Sequence, residues 1–161
     1  MGGRDDICLV LKQWYERTSV VAVGHYRAAL RYSRIHFWLA VPTVALSAIV
    51  GTTVFATMQQ QIGFWWQLGV GAMSVLAAVM TALQTTLRYQ ELAEKHREAG
   101  ARYNALGREI ELLLSYSDLD LNVVSEIRGR IDKMAQESPH IPQAVHDHMK
   151  EREDLNVWGK R

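Results

Sequence analysis

Residues 37–87 decide the fold of this chain, and they read FWLAVPTVALSAIVGTTVFATMQQQIGFWWQLGVGAMSVLAAVMTALQTTL. The stretch contains no Asp, Glu, Lys, Arg or His, so all 18 Lys and Arg and all 17 Asp and Glu lie outside it. Its one polar interruption, at 59–63, combines glutamines with a glycine and predicts a turn. The turn separates a first span, 37–58, from a second span, 62–87. As helices they would measure about 33 and about 39 Å, and a hydrocarbon layer is about 30 Å thick. Both can therefore cross a membrane.

The chain on either side of the spans has the pattern of amphipathic helices. In residues 1–36, residues suited to a packed face recur at steps of three and four, and this helix is expected to continue directly into the first span. The same period continues into residues 88–161, so the second span and its extension are expected to form one helix. The sequence predicts an all-α membrane protein, a two-helix transmembrane hairpin with long helices extending into a cytoplasmic helical bundle. We call the residues expected on the packed face of each flanking helix its stripe. The stripe before the spans is Ile7, Leu11, Trp14, Thr18, Val21, His25, Ala28, Tyr32 and Ile35, and the stripe after them is Leu92, His96, Ala99, Tyr103, Leu106, Ile110 and Leu113.

The distribution of positive charge predicts the orientation of the hairpin. Lys and Arg residues lie close to the outer ends of both spans, whereas the turn at 59–63 has none. Positive charge is concentrated on the cytoplasmic side of membrane proteins, so both termini are expected in the cytoplasm. The flanking cations are Arg27, Arg31, Arg34, Arg88, Lys95, Arg97 and Arg102.

The region after the second span contains two glycines and a second helix signal. A glycine costs roughly 1 kcal/mol in a helix interior, so Gly100 and Gly107, one heptad apart, predict a close crossing with another helix. A further helix is expected to begin at Asp118 or Asn122 and to end near Gln136. Two prolines within 138–142 then predict an extended step before a short last helix. The residues of the further helix expected to face inward are Val123, Val124, Ile127, Ile131 and Met134.

The second span carries a face without large apolar side chains, which we call the polar face. Small residues often pack helix against helix in membranes, so one interpretation is contact with the first span or with a second copy of the chain. The other is that several hairpins assemble and this face lines an aqueous path, since polar side chains within a bilayer usually face an interior or a cavity. The polar face consists of Gln67, Gly71, Ser74, Ala78, Thr81 and Thr85. The other faces of the span are expected to prefer lipid, and they carry Leu68, Val70, Met73, Val75, Leu76, Val79, Met80, Leu83 and Leu87.

The first span has a similar but weaker pattern. Small residues recur at helical spacing and predict close helix approach. Pro42 lies near the start of the span, where it is expected to bend the helix or, less simply, to act as a hinge. The small residues are Ala45, Ser47, Ala48, Gly51, Thr52 and Ala56.

A short motif, His-x-x-Ala-x-x-Arg-Tyr, occurs before the hairpin and again after it, at a constant offset of 71 positions. Antiparallel helices leaving one hairpin would bring the copies together in a juxtamembrane collar. The collar would be either a set of packed histidines and snorkelling arginines or a device sensitive to pH or anions, since histidine changes charge near neutrality. Its residues are His25, Arg31, Tyr32, His96, Arg102 and Tyr103.

No motif in the sequence points to catalysis, and the chain is expected not to be an enzyme. Phosphate-binding loops, nucleophile elbows and zinc-protease or DNA-binding patterns are absent, so no catalytic residue, cofactor or nucleic-acid partner is expected. His140, His146 and His148, with Asp147, have no spacing that suits a metal, and no metal site is predicted. The single cysteine, Cys8, excludes an internal disulfide.

Three segments of the chain resemble the bacterial SLATT family, over roughly residues 20–145. They are HYRAALRYSRIH at 25–36, the first span with Pro42 and 50–52, and EKHREAGARYNAL at 94–106. The resemblance implies a two-span effector of nucleotide-signalling and other conflict systems, that is, a multi-pass protein of the bacterial inner membrane. It implies a pore that opens when a partner or ligand signals infection, hence anti-phage defence. A nucleotide-sensing partner protein or a nucleotide ligand would be the trigger.

Two functions remain open from the sequence. The first is an oligomeric pore-forming effector. Because two spans cannot enclose a path alone, a homo-oligomer is expected, and four or more subunits are expected rather than two. The second is a non-conducting membrane anchor or scaffold whose cytoplasmic helices recruit a partner. In both cases the lipid bilayer is the first partner of the chain.

Overall fold

Four helices make up the part of the chain that the structure describes. The structure is a computed structural model that describes residues 2–57, 63–116, 120–143 and 145, with side chains from residue 5 onward. The helices are α1 (Gly2–Thr57), α2 (Phe64–Leu87), α3 (Tyr89–Ser115) and α4 (Leu121–Glu137), and these ranges contain no β-strand. The stretches Asp5–Thr57 and Phe64–Ser115 are each long and apolar enough to cross a membrane. The predicted all-α fold with two helices able to span a bilayer is confirmed.

The chain divides into two compact units. Unit 1 consists of residues 1–30 and 93–161, and unit 2 of residues 31–92. The predicted domains 1–36, 37–87 and 88–161 refer to the borders of a bilayer, which the packing of the chain does not test, and they stay predictions.

Unit 1 has a core made by α1, α3 and α4. Leu11, Leu106, Ile110 and Ile127 are at most 1% exposed and form its centre. Burying a side chain of this size stabilises the fold by about 1.5–3 kcal/mol. The stripes predicted for both flanks are confirmed, since none of their residues is exposed. The half-buried side chains around the core are Ile7, Trp14, Tyr15, Leu113, Leu114, Val124, Ile131 and Met134.

The two glycines of α3 lie where α3 approaches α1 most closely. A Cβ at Gly100 would lie 3.2 Å from the carbonyl oxygen of Ala22 and 3.3 Å from the Tyr26 ring. A Cβ at Gly107 would meet the Thr18 hydroxyl at 3.5 Å. The predicted close crossing is therefore confirmed, and it is tightest at Gly100, where the obstacle is backbone.

The first residue of α4 differs from the prediction. Asp120 caps the helix, because its carboxylate accepts a hydrogen bond of 2.9 Å from the backbone N–H of Asn122. Asn122 is thus inside the helix, and Asp118 lies outside the described residues. The error arises because three capping residues stand close together and composition does not rank them. At the other end Ser138 is extended, which confirms the predicted step.

Unit 2 contains the end of α1 and all of α2. The expected continuation of the flanking helix into the first span is confirmed, since α1 is one helix of 56 residues that contains Pro42. The expectation of one helix from the second span onward is wrong at Arg88, which has left-handed backbone angles (φ 46°, ψ 38°) and separates α2 from α3. Arginine is a good helix former, so its sequence gives no sign of this break. The turn at 59–62 and most of the last predicted helix lie outside the described residues.

Candidate functional site

The polar face of α2 is exposed within unit 2. All six of its residues are exposed, and a Cβ at Gly71 would meet nothing within 4 Å. The covered side of the helix lies elsewhere and includes Ala77, which is 7% exposed. The interpretation in which the polar face packs on the first span of the same chain is therefore wrong. Its packing on another copy and its lining of a path both stay predictions. The covered or partly covered residues of α2 are Val70, Met73, Ala77, Met80 and Gln84.

The covered sides of both spans carry larger side chains than the sequence suggested. The expectation that Val70, Met73 and Met80 face lipid is wrong, since each is partly covered. Lipid tails are as apolar as leucine, so hydrophobicity does not decide which apolar face of a membrane helix meets its neighbour. On the first span, the small residues Ala45, Ser47, Ala48, Thr52 and Ala56 are exposed, and the close approach expected there is not made within the chain.

Gln84 joins the two spans, and the sequence analysis missed it. Its side-chain amide donates hydrogen bonds to the Thr43 hydroxyl (2.6 Å) and to the Leu39 carbonyl oxygen (2.9 Å). Thr43 is 7% exposed and itself donates to the same carbonyl at 2.7 Å. The signal was present, because an amide within an apolar span requires a partner and usually finds it inside the protein.

The threonine hydroxyls of the spans bond to their own helices. On the polar face, Thr81 donates to the Ala77 carbonyl oxygen at 2.9 Å, and Thr85 donates to that of Thr81 at 3.0 Å. Each hydroxyl proton is thus used, while the oxygen keeps acceptor capacity. Such a face can contact another helix without an unsatisfied donor, and it can also accept a hydrogen bond from water.

In unit 1, His25 of α1 and His96 of α3 meet directly. We call them the histidine pair. Their Nδ1 atoms lie 3.0 Å apart, and the residues are 2% and 1% exposed. Tyr103 stacks on the His25 ring at a centroid distance of 5.6 Å. For a hydrogen bond at this distance, one Nδ1 carries the proton and donates while the other accepts.

The surroundings of the histidine pair favour its neutral form. Burial first, and next the charge that His96 would carry, lower the pKa of His25 from 6.5 to about 4. Burial also lowers the pKa of His96. The lowered pKa values favour two neutral rings at pH 7, and the short Nδ1 to Nδ1 contact is compatible with that form.

The predicted collar has residues in both units. Unit 1 brings together His25, His96 and Tyr103, whereas Arg102 of the same unit pairs with Glu98 at 2.6 Å and Glu137 at 3.7 Å. In unit 2, Arg31 is exposed and Tyr32 stacks on Tyr89, with ring centroids 6.0 Å apart. The collar as a whole stays a prediction.

One comparison with known proteins identifies the family. A family model described as SMODS and SLOG-associating 2TM effector domain family 4 matches residues 9–143, well over half of the chain. The chain belongs to the SLATT family. The matched range contains both spans and the histidine pair of this SLATT protein. No curated protein and no solved structure matches it.

Family membership and the two helices able to cross a bilayer make this SLATT protein a membrane effector of conflict systems. The matched family is one of effectors and its description names no enzyme activity. Within the described ranges, no group of three or more His, Cys, Asp or Glu is arranged to hold a metal ion. His146 and His148 lie outside those ranges, so the expectation that these histidines hold no metal stays a prediction.

A cavity of about 470 Å³ adjoins the histidine pair of the SLATT protein. His25 and Tyr103 line one side. The other side is lined by Gln136 of α4 and by His140 and Gln143 after α4. A neighbouring groove of about 430 Å³ carries the charged side chains of Lys95, Glu98, Arg102 and Glu137.

Proposed function

We propose that this SLATT protein is an oligomeric pore-forming membrane effector of bacterial anti-phage or related conflict systems. It acts in the inner membrane with both termini in the cytoplasm, has no enzymatic activity, and opens on a signal from a nucleotide or a nucleotide-sensing partner. The observation that carries the proposal is the polar face of α2, which its own chain leaves uncovered.

The exposure of this face supports assembly into an oligomer. Ser74 and Thr81 lie near the middle of the second span, and lipid alone would offer no partner to the Ser74 hydroxyl or to the remaining acceptor capacity of the Thr81 oxygen. Two spans cannot enclose a path, so the face would be covered or wetted only when several copies assemble. A closed ring of four or more subunits allows every copy to present the same face to a shared axis.

The second candidate is a non-conducting anchor or scaffold. The hydroxyls of Thr81 and Thr85 favour it, because each already donates its proton within its own helix and can therefore pack against another helix without leaving a donor unsatisfied. In that case copies still assemble, but no water enters the contact.

Ion flux through liposomes that contain the purified protein, with and without a nucleotide second messenger, separates the two. Flux that depends on the protein supports the pore. A stable oligomer without flux under any added signal would contradict the pore and favour the scaffold. A stable monomer in nanodiscs would contradict both the oligomer and the pore.

A further inference from the structure

We propose that Arg31, Arg34 and Trp38 form a binding site for an anionic phospholipid on the exposed side of α1, at the cytoplasmic border of the first span. We call these three residues the arginine site. The proposal rests on the insertion of the two spans into a membrane. It goes beyond the proposed pore, because a lipid would bind there in a conducting or a non-conducting protein.

The three side chains of the arginine site lie on one face of a continuous helix. Their spacing of three and four residues places them one above another along α1. All three are exposed, and the Trp38 side chain is 73% exposed. Leu39 and Thr43, which accept hydrogen bonds from Gln84, mark the side of α1 that contacts α2. The described part of unit 2 thus leaves the arginine site uncovered.

The positive charge of the arginine site is not balanced within unit 2. Residues 31–92 contain three arginines, no lysine and one carboxylate, Glu91, which gives a formal charge of +2 (3 − 1) when histidine is neutral. Glu91 pairs with Arg88 at 3.0 Å. Among the described residues, neither Arg31 nor Arg34 has an ion pair or a hydrogen bond. Both guanidinium groups can therefore bind an anion that comes from outside the chain.

The depth of the arginine site fits the headgroup layer of the inner leaflet. Trp38 stands at the border of the first span, where indole rings usually lie at headgroup level. Four and seven residues of helix span about 6 and about 10 Å, which are the distances of the Arg34 and Arg31 Cα atoms from that of Trp38 along the axis. The polar layer on each side of a bilayer is about 5–8 Å thick, and the long stems of arginines extend toward it. Both guanidinium groups can thus reach the lipid phosphates.

An anionic phospholipid offers the groups that match this surface. Its phosphate accepts paired hydrogen bonds from a planar guanidinium, and two guanidinium groups one helical turn apart can hold one phosphate. Its acyl chains provide apolar contact for Trp38 and for Phe37, which is 59% exposed. A free phosphate ion would use the arginines and leave the aromatic rings without a partner. A zwitterionic phospholipid would add an ammonium group beside the surplus positive charge, so a net negative headgroup such as phosphatidylglycerol fits best.

The experiment measures which lipid lies against Trp38 in the full-length protein. The protein carries Trp65→Phe and Trp66→Phe, which leaves Trp38 as the one tryptophan of the predicted spans. It is placed in phosphatidylcholine nanodiscs with increasing fractions of phosphatidylglycerol whose brominated acyl chains quench a tryptophan that they touch. A reference series contains brominated phosphatidylcholine instead. We expect half-maximal quenching at a lower fraction of the anionic lipid than of the zwitterionic lipid.

Replacing both arginines should remove this preference. In an Arg31→Gln, Arg34→Gln variant, the fraction of phosphatidylglycerol that gives half-maximal quenching should rise by about fivefold for each arginine removed, up to the value for phosphatidylcholine. The matched control is Arg97→Gln with Arg108→Gln. It removes two exposed arginines of α3 that likewise have no ion pair among the described residues, and it should keep the wild-type preference.

A lysine variant keeps the test decisive if the glutamine variant does not fold. Arg31→Lys with Arg34→Lys retains the charge without the planar fork, so its preference should be smaller than that of the wild type but not absent. Equal quenching of the wild type by the two lipids would overturn the proposal, and so would an equal loss of preference in the α3 control. Loss of the preference on addition of inorganic phosphate at constant ionic strength would overturn it as well, because the site would then bind a soluble anion. The readout does not depend on ion flux, so it is independent of the outcome for the proposed pore.

Discussion

Gln84 and Thr43 form the hydrogen bond that joins the two spans, with 2.6 Å between Nε2 and Oγ1. The same amide reaches the Leu39 carbonyl, so one side chain of α2 contacts both a side chain and the backbone of α1. Pro42 lies beside these acceptors and lacks an N–H, which leaves this part of α1 with one internal donor fewer. The acceptor that loses its helical donor is the carbonyl oxygen of Trp38, one residue before Leu39, so the link lies next to this gap in the hydrogen bonds of α1.

Replacing Gln84 by Leu should weaken the pairing of the spans. The change removes two hydrogen bonds and keeps a side chain of similar size, and polar contacts between membrane helices contribute about 0.6–1.7 kcal/mol. We expect unfolding in a denaturing-detergent titration to shift by about 1 kcal/mol. Thr85→Val is the control, because its hydroxyl bonds its own helix. Equal stability of Gln84→Leu and wild type would contradict the link.

Enlarging the polar face should stop conduction without preventing assembly. In a Ser74→Leu, Thr81→Leu double variant, a narrow path would become apolar and lose its water. Liposome leakage should fall to the protein-free level, while the mass in nanodiscs stays that of the wild-type oligomer.

Val75→Leu is the control for that variant, since Val75 is 65% exposed and lies off the polar face. Met80 is unsuitable because it is partly covered. Full leakage from an assembled double variant would remove this face from the pore. Loss of the oligomer would instead show that the face packs helix against helix.

Adding one methyl group at Gly100 should destabilise unit 1. The new Cβ would lie 3.2 Å from a backbone oxygen, and overpacking of this kind costs about 1–3 kcal/mol. Gly129→Ala is the matched control, because its Cβ would meet nothing within 4 Å. It should stabilise α4 by roughly 0.5–1 kcal/mol. Thermal unfolding of both variants measures these changes in stability. A Gly100→Ala protein as stable as Gly129→Ala would refute the close crossing.

The stability of the protein should fall as the pH is lowered from about 6.5 toward 4. The pKa of His25 is about 4 in the folded state and 6.5 as its ordinary value, so within this window the unfolded chain binds more protons. Each excess proton lowers the free energy of unfolding by about 1.4 kcal/mol per pH unit. Chemical denaturation at pH 7.5, 5.5 and 4.5 should therefore show a steeper loss for wild type than for His25→Asn. Parallel slopes would contradict the shift.

The orientation can be tested by labelling intact cells. A cysteine placed at position 60 should react with a membrane-impermeant thiol reagent from outside, because the turn has no positive charge and the flanks have many. Native Cys8 serves as the internal control and should react only after the membrane is opened. Labelling of position 60 only in opened cells would reverse the proposed topology.

The sequence predicted the packing correctly where the exclusion of apolar side chains from water decides which residues are buried. Water around α1 and α3 forces their apolar residues inward, so periodicity located the buried Leu11 and Ile110 correctly. The glycine spacing likewise anticipated the approach of Ala22 to Gly100. Within the spans this exclusion from water does not distinguish one apolar face from another, because lipid solvates every apolar side chain. Periodicity therefore assigned Met80 to the wrong environment.

Other features depend on geometry that the sequence does not contain. The left-handed conformation of Arg88 follows from how α2 ends, and no residue preference predicts it. The repeated motif placed His25 beside His96 correctly in the collar. It did not anticipate that Arg102 pairs with Glu98 and Glu137, because the sequence alone does not show which residues of α4 approach α3.

The histidine pair has one more consequence, since its hydrogen bond has no built-in direction. Either ring can donate through Nδ1, and exchanging donor and acceptor moves the remaining proton between the outer nitrogens of the two rings. The crossing of α1 and α3 therefore has two tautomeric forms that both keep the Nδ1 to Nδ1 hydrogen bond. The form present decides which of the two rings carries its proton on the outer nitrogen. A proton can thus change its place within this crossing while the heavy atoms that join the two helices stay where they are.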